Sequence, residues 1–360
     1  MKQIAIVGYY GFDNAGDEAI LASIISSLRE RDSELQVTVL SANPAKTAQT
    51  YNVKAVNRFS FSDIINIFKE VDLFIIGGGS LLQDITSQKS ILYYLGLIYI
   101  AKRIGLPVFF YGQGVGPVTR RLSKGLMPRV LNQVERITVR DEDSKELLLD
   151  LGVKKQVQVT ADPVFDLRLP DEKEIEEIIH KEGMDLSGEV IGVSVRYWQE
   201  NSNYLDKLAQ VLNKVQEELN VNICFLPLHY PVDKRASQEL AEKMGVEVQI
   251  LEGNYHPQQI AGLFSKIDLL VGVRLHSLIF AAINQLPMVG ISYDPKVDSF
   301  LERLDLKPAG YVDELNIDRL YNQILKSWEQ KEELQHELAK KVVKLKELAR
   351  ENVELAFHLL

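Results

Sequence analysis

Cysteine is nearly absent from this sequence, which has a single one, Cys224, in 360 residues. One thiol can form neither a disulfide framework nor a thiolate metal site, so a reducing compartment is expected. Long hydrophobic runs are also missing, since no apolar stretch approaches the roughly 20 residues that cross a bilayer. The first residues carry one lysine and too short an apolar run for a signal peptide. These absences favour a cytoplasmic protein.

Several catalytic signatures are missing too. The chain has no H-E-x-x-H, no paired Cys or His at ligand spacing and no G-x-S-x-G, so neither a catalytic metal nor a serine-hydrolase triad is supported. The first glycine loop lacks both the G-x-G-x-x-G spacing of dinucleotide-binding folds and the Gly-Lys-Ser/Thr of P-loops. We therefore expect no metal and no cofactor, and a nicotinamide enzyme is disfavoured.

Positive charge is in deficit, with 41 Lys and Arg against 50 Asp and Glu and a net charge of −9. That balance argues against a nucleic-acid partner and against a broad surface for anionic membranes. An acidic protein that binds an anionic ligand must do so with a few well-placed arginines.

The pattern that is present alternates apolar strands with amphipathic helices. Such βαβ units predict mostly parallel sheets covered by helices on both faces. We predict an α/β protein with two Rossmann-like domains, at residues 1–168 and 189–315, joined by a linker at 169–188. Residues 316–360 are predicted to be helices that pack back across the domain boundary. Their leucines approximate a heptad seam that Lys341 and Asn352 interrupt, so a dimerising helix is the alternative.

Glycine-rich turns follow three strands of the first half, at residues 8–18, 77–80 and 112–117. The carboxyl ends of parallel strands share one edge of a sheet, where ligands bind. Asn14, Gly16 and Asp17 precede a helix, and a helix N-terminus favours an anionic or polyhydroxyl ligand. The alternative is that Asp17 only caps that helix.

Arginines end three further strands. Arg140, Arg196 and Arg274 each offer a planar cation that suits phosphate or carboxylate. The structural alternatives are an ion pair of Arg140 with Asp141 or Asp143, and stacking of Arg196 on a neighbouring aromatic ring.

His276 lies two residues after Arg274, in a turn between a predicted strand and a predicted helix over 278–283. A histidine titrates near neutral pH, so the pair suits an anionic substrate that must also receive a proton. The alternative is a structural arginine beside a surface histidine.

Six motifs occur in order along the chain: G-Y-Y-G-F-D-N-A-G-D-E at 8–18, G-G-G-S-L-L-Q-D at 77–84, G-Q-G-V-G-P at 112–117, V-R-D-E-D-S at 139–144, A-D-P at 161–163 and G-V-R-L-H-S at 272–277. This combination resembles the polysaccharide pyruvyl transferase family, in particular its CsaB type, which acts in bacterial cell-wall polysaccharide synthesis and S-layer anchoring. The resemblance runs from residue 1 to about residue 315. It implies a glycosyltransferase-B-like (GT-B-like) pair of Rossmann domains with the site in the interdomain cleft.

The resemblance also implies a reaction and its partners. Pyruvate moves from phosphoenolpyruvate (PEP) to a sugar as a ketal and phosphate leaves, without a metal. The implied acceptor is an N-acetylmannosamine unit, ketalised at its 4- and 6-hydroxyls, on a lipid-linked disaccharide. Arg274 and Arg140 match family positions and would hold the two anionic groups of PEP, with Arg196 as a third cation. His276 is then the candidate proton donor.

The N-terminal loops are left to bind the acceptor. The residues we assign to it are Asn14, Gly16, Asp17, Gly78, Gly79, Gln83, Gln113 and Gly114. Two other functions stay open from the sequence: a nucleotide-sugar-dependent glycosyltransferase of the same fold, and a non-catalytic polysaccharide-binding protein. A homo-oligomer and peripheral contact with the cytoplasmic membrane, where a lipid-linked acceptor would reside, also stay open.

Overall fold

A computed structural model describes residues 1–84, 88–199 and 203–360 of the chain. They form two compact units, one made of Met1–Arg168 with Lys344–Leu360 and the other of Leu169–Val343. Each unit is built around one β-sheet, and every strand pairing in the two sheets is parallel. The predicted fold class, two α/β domains with parallel sheets, is confirmed.

The first unit alternates strands and helices. Its strands are β1 (Gln3–Val7), β2 (Gln36–Ser41), β3 (Lys54–Asn57), β4 (Leu73–Gly77), β5 (Val108–Gln113), β6 (Arg136–Val139) and β7 (Val157–Val159). Its helices are α1 (Ala15–Arg31), α2 (Pro44–Tyr51), α3 (Phe61–Glu70), α4 (Gln88–Ile104), α5 (Arg121–Leu131) and α6 (Glu142–Asp150).

The second unit repeats the alternation. Its strands are β8 (Val190–Ser194), β9 (Asn222–Phe225), β10 (Gln249–Ile250), β11 (Leu269–Gly272), β12 (Met288–Ser292) and β13 (Gly310–Tyr311). Its helices are α7 (Glu172–Glu182), α8 (Tyr204–Leu219), α9 (Val232–Met244), α10 (Pro257–Leu263), α11 (Leu275–Ile283), α12 (Pro295–Arg303) and α13 (Ile317–Glu329). The last helix, α14 (Lys331–Phe357), begins in the second unit and ends in the first.

The two sheets, of seven and six strands, have the same order over six strands. The first sheet runs β3-β2-β1-β4-β5-β6-β7 and the second runs β10-β9-β8-β11-β12-β13. In each, the chain moves outward from the first strand in one direction and then returns to that strand's other side. The order therefore reverses between β1 and β4 and between β8 and β11. Such a switch point, at the carboxyl ends of the strands, is where open α/β sheets bind ligands.

Apolar burial explains why these strands form sheets. All five residues of β4 and of β8 are buried, which agrees with strands covered on both faces. On α8, the residues Leu205, Leu208 and Leu212 recur at helical spacing and are at most 4% exposed. Burying one such side chain stabilises the fold by roughly 1.5–3 kcal/mol.

The segment 169–188, which the sequence predicts as a linker with a weak helix over 172–181, includes that helix. It contains α7, whose Ile175, Ile178 and Ile179 are buried, and it belongs to the second unit. Helices α2, α9 and α12 and the short strand β13 are not predicted from the sequence. Helix α9 in particular has few apolar residues, so it lacks the clear hydrophobic periodicity from which a helix is predicted.

Candidate functional site

The first switch point begins with the loop after β1 and the start of α1. Asn14 is the N-cap of α1: its side-chain oxygen accepts a hydrogen bond from the Gly16 N–H at 3.2 Å, and its amide donates to Asp17 at 2.6 Å. The helix begins at Ala15, so Asp17 lies in the first turn and does not cap it. Asn14 and Asp17, both half-buried, thus form one hydrogen-bonded pair at a helix N-terminus.

The turn after β4 lies against this helix. Gly78 and Gly79 have positive φ angles of 52° and 79°, a conformation that favours glycine. A Cβ on Gly78 would stand 2.2 Å from Ile20 on α1, and one on Gly79 would stand 3.1 Å from the Asp17 carboxylate. The glycines therefore let α1 and this turn approach closely, and they bring the Gly79 backbone next to Asp17.

Gln113 supports the turn from inside the fold. Its side chain is fully buried and its amide donates to the carbonyls of Ile76 and Gly78, both at 3.0 Å. The following N–H, on Gly114, donates to the Gly79 carbonyl at 2.7 Å. We predicted that Gln113 binds the acceptor, whereas its observed contacts hold the glycine turn in place. Gln83, at the other end of the turn, is partly exposed.

Arg140, after β6, is almost completely buried in a polar cluster. It is 6% exposed, ion-pairs with Asp162 at 2.9 Å and with Asp141 at 3.5 Å, and donates to the Ser80 hydroxyl at 3.1 Å. A Cβ on Gly114 would stand 2.7 Å from its guanidinium. The predicted structural alternative, a pair with Asp141, is thus present, and Arg140 joins the ends of β6 and β7 to the turn after β4.

Arg274 lies at the second switch point as the N-cap of α11. It ion-pairs with Asp233, whose side chain is fully buried, and its Nε lies 2.7 Å from a carboxylate oxygen. The same carboxylate accepts the backbone N–H of His229 at 3.0 Å. A guanidinium held along one edge by a buried carboxylate has a fixed orientation.

His276 lies in the first turn of α11. We predicted that this helix starts after the motif, but it starts at Leu275, so His276 stands on the helix beside Arg274. Its ring is half-buried and its centroid is 6.5 Å from that of Phe280. The arrangement brings a fixed cation and a titratable group to the same strand end.

Arg196, after β8, is held by aromatic rings. Its guanidinium lies over Tyr293 at 4.6 Å and over Trp198 at 5.5 Å, and its Nε donates to the Tyr197 carbonyl at 3.2 Å. The Tyr204 hydroxyl bonds to the Arg196 carbonyl, and burial raises the Tyr204 pKa above its ordinary value. In the parts of the chain that the structure describes, Arg196 has no carboxylate partner. The strands that carry Arg196 and Arg274 are neighbours.

Three residues of these edges are not found from the sequence. Asp233, Tyr293 and Arg58 contact predicted residues or loops, and none of them stands in a glycine motif. Asp233 could have been found as an acidic residue in the first turn of a helix after Pro231. Within residues 1–84, 88–199 and 203–360, no group of three or more His, Cys, Asp or Glu is arranged to hold a metal ion.

Comparison with known proteins decides the family. The family model for polysaccharide pyruvyl transferase matches residues 14–295, a span that begins at Asn14 and contains the glycine turn after β4, Arg140, Arg274 and His276. This chain belongs to the polysaccharide pyruvyl transferase family. A relative in this comparison is the amylovoran biosynthesis protein AmsJ of Erwinia amylovora, 22% identical over 84% of this chain and 86% of AmsJ.

Solved structures similar to this pyruvyl transferase family member share its fold. The UDP-GlcNAc 2-epimerase from Neisseria meningitidis superposes with a TM-score of 0.66 at 12% identity, over 100% of this chain and 99% of the epimerase. A glycosyltransferase from Rickettsia africae superposes with a TM-score of 0.63 at 13% identity, over 99% and 98% of the two chains. At this identity the likeness concerns the fold alone, and it agrees with the predicted GT-B fold. Across the described ranges, no helix is both long enough and apolar enough to cross a membrane.

Proposed function

We propose that this protein transfers pyruvate from PEP to a sugar of a polysaccharide precursor, forms a cyclic ketal and releases phosphate. Membership of the family supports pyruvyl transfer. The observation that carries the choice of donor is the second switch point, where Arg196 and Arg274 end neighbouring strands and His276 follows. PEP carries a phosphate and a carboxylate, and two placed cations suit these two groups. Arg140 is proposed as a further PEP ligand.

The reaction balances with one proton carrier. The methylene carbon of PEP gains a proton and becomes the methyl group, two sugar oxygens bond to C2, and the bond from C2 to the phosphate oxygen breaks. One hydroxyl proton ends on the methyl group and the other on the released phosphate. His276 would deliver the proton to carbon and recover it from a sugar hydroxyl, a role that contributes roughly 10²–10⁴-fold to the rate.

The first unit is proposed to bind the acceptor. Sugars are recognised by hydrogen bonds to hydroxyl groups, and the paired side chains of Asn14 and Asp17 lie beside the backbone of Gly79. The other acceptor residues we propose are Gly16, Gly78, Gln83, Gln113 and Gly114. Of these, Gln113 would act through the turn that it supports. We propose the acceptor that the resemblance to the CsaB type implies, which is lipid-linked N-acetylmannosamine. It would be ketalised at O4 and O6.

Phosphate release measured with PEP and a synthetic disaccharide that ends in N-acetylmannosamine tests this function. We expect release that requires both substrates, and a ketal product by mass spectrometry. His276→Ala should still bind PEP in calorimetry but lose turnover, whereas Arg274→Ala should lose PEP binding. Normal turnover by His276→Ala would show that another group delivers the proton.

A second function is suggested by one observation, the fold that this chain shares with a glycosyltransferase. A nucleotide-sugar-dependent glycosyltransferase would consume a UDP-sugar and leave PEP unchanged. The same assay with UDP-GlcNAc in place of PEP separates the two functions. Binding of the disaccharide without turnover of either donor would instead indicate a polysaccharide-binding protein.

A further inference from the structure

Arg58, directly after β3, is a buried cation that aromatic rings surround. It is 4% exposed, and it donates to the Gly8 carbonyl at 2.8 Å and to the Tyr94 hydroxyl at 3.0 Å. Among the residues that the structure describes, no carboxylate pairs with it, although a buried arginine ordinarily has such a partner. Its charge is stabilised instead by the rings of Phe12, Phe59, Tyr93 and Tyr94, whose centroids lie 4.8–5.5 Å from its central carbon.

The guanidinium fixes several of these rings at the surface. Phe59 remains 62% exposed although it packs on Arg58, and Tyr93 donates its hydroxyl to the Arg58 carbonyl at 2.6 Å. Phe12 stacks on Tyr9 at 4.1 Å with an interplanar angle of 12°, and Tyr9 is 37% exposed. We call Tyr9, Phe12, Phe59 and Tyr93 the aromatic surface. Its rings are held from inside the fold and reach solvent on the outside.

The aromatic surface continues from the loop that we propose for the acceptor. Tyr9 and Phe12 lie in the turn after β1, which leads to the N-cap Asn14 and to Asp17 in the first turn of α1. On the inner side, Arg58 donates both to the carbonyl of Gly8, where this turn begins, and to the Tyr94 hydroxyl. The pair Asn14 and Asp17 and the rings of Tyr9 and Phe12 thus follow the same strand, β1, at the carboxyl edge of the first sheet.

We propose that the aromatic surface is a second sugar subsite, which binds the pyranose ring next to the one that receives pyruvate. One face of a pyranose exposes only C–H groups, and these carry partial positive charge that suits the negative face of an aromatic ring. Rings that are fixed before binding lose little conformational entropy when a sugar stacks on them. The identity of the bound sugar chain rests on the proposed function, but its binding to this surface does not require PEP.

Calorimetry of the full-length protein without PEP tests the subsite. The two ligands are the disaccharide that ends in N-acetylmannosamine and the methyl glycoside of N-acetylmannosamine alone. Phe59→Ala and Tyr9→Ala should each weaken disaccharide binding about tenfold, the effect of about 1.4 kcal/mol, and weaken monosaccharide binding less than about twofold. Phe61→Ala is the matched control, because Phe61 is a comparably exposed (57%) phenylalanine two residues further on, outside the aromatic surface. It should change neither affinity.

The outcomes separate this subsite from the proposed reaction. If Phe59→Ala and Phe61→Ala bind the disaccharide equally well, the subsite is wrong, whatever the assay of phosphate release gives. If both variants instead lose binding to vesicles of anionic phospholipid and retain disaccharide binding, the exposed rings serve a membrane and the subsite is again wrong. If Phe59→Ala alone loses disaccharide affinity while the wild type releases no phosphate from PEP, the subsite stands and the proposed reaction fails.

Discussion

The carboxyl edges of the two sheets share one strand order but place different chemistry at the switch point. In the first unit the switch point has glycine backbone and the pair Asn14 and Asp17, and Arg140 lies two strands away from β4, enclosed by carboxylates. In the second unit Arg196 and Arg274 stand at the switch point itself. The first edge suits a neutral ligand with many hydroxyl groups, and the second suits an anion. This difference supports our proposal that the first edge binds the acceptor and that Arg196 and Arg274, at the second edge, bind PEP.

The largest effect should come from removing the enclosed arginine. Arg140→Met leaves Asp162, which is 3% exposed, without its cation, and an unpaired buried carboxylate costs about 3–5 kcal/mol. We expect the free energy of unfolding to fall by that amount in urea titrations followed by circular dichroism. The double variant Arg140→Met/Asp162→Asn should recover part of the loss, because the remaining amide is uncharged. A loss below about 1 kcal/mol would show that the cluster contributes little stability.

The arginines should differ in their effect on the donor. Arg274→Lys retains the charge but loses the planar fork that Asp233 orients, so the dissociation constant for PEP should rise about 10- to 100-fold in calorimetry. Arg140→Lys should raise it only severalfold, since Asp162, Asp141 and Ser80 already engage its guanidinium. Equal losses would make the two arginines equivalent PEP ligands. No loss with Arg140→Lys would assign Arg140 to structure alone.

The sequence predicts the fold better than it predicts the partners of the site residues. Parallel strands covered on both faces require continuous apolar runs, and such runs are visible without a structure. Once the strands are located from these runs, the glycines and arginines that follow them can also be read from the sequence. By contrast, Asp233 pairs with Arg274 across 41 positions of sequence, from a helix with few apolar residues. Arg58 is also missed, because charged residues are expected at the surface and only the folded chain brings the four rings around it.

A smaller effect concerns Asp84 in the first unit and its contribution to the free energy of unfolding at low pH. Burial raises the pKa of Asp84, but hydrogen bonds from the Thr119 and Arg120 N–H groups and the Thr119 hydroxyl outweigh it and lower this pKa to about 2. The unfolded value is near 4, so the carboxylate stabilises the fold above pH 4 and this contribution is lost as the pH falls through about 2. The unfolding free energy of the wild type should exceed that of Asp84→Asn by about 1–2 kcal/mol at pH 7. This difference should shrink between pH 4 and pH 2, and a constant difference would contradict the assignment.

The smallest expected effects on stability concern α14, at Asn352 and Lys341, the two residues that interrupt its leucine pattern. The two residues make different kinds of contact. In the first unit Asn352 is fully buried and accepts hydrogen bonds from the hydroxyls of Thr138 at 2.6 Å and Thr160 at 3.1 Å. In the second unit Lys341 pairs with Asp305, whose side chain is 86% exposed. Asn352→Leu leaves two buried hydroxyls without this acceptor and should cost about 1 kcal/mol.

Lys341→Ala removes an ion pair whose carboxylate is exposed, and it should cost less than about 0.5 kcal/mol. Urea titrations of both variants test the contrast, and added salt is an independent check. Salt screens an exposed pair, so the effect of Lys341→Ala should vanish at about 1 M salt while that of Asn352→Leu persists. A larger loss for Lys341→Ala than for Asn352→Leu would mean that the charged contact, and not the buried amide, holds this helix.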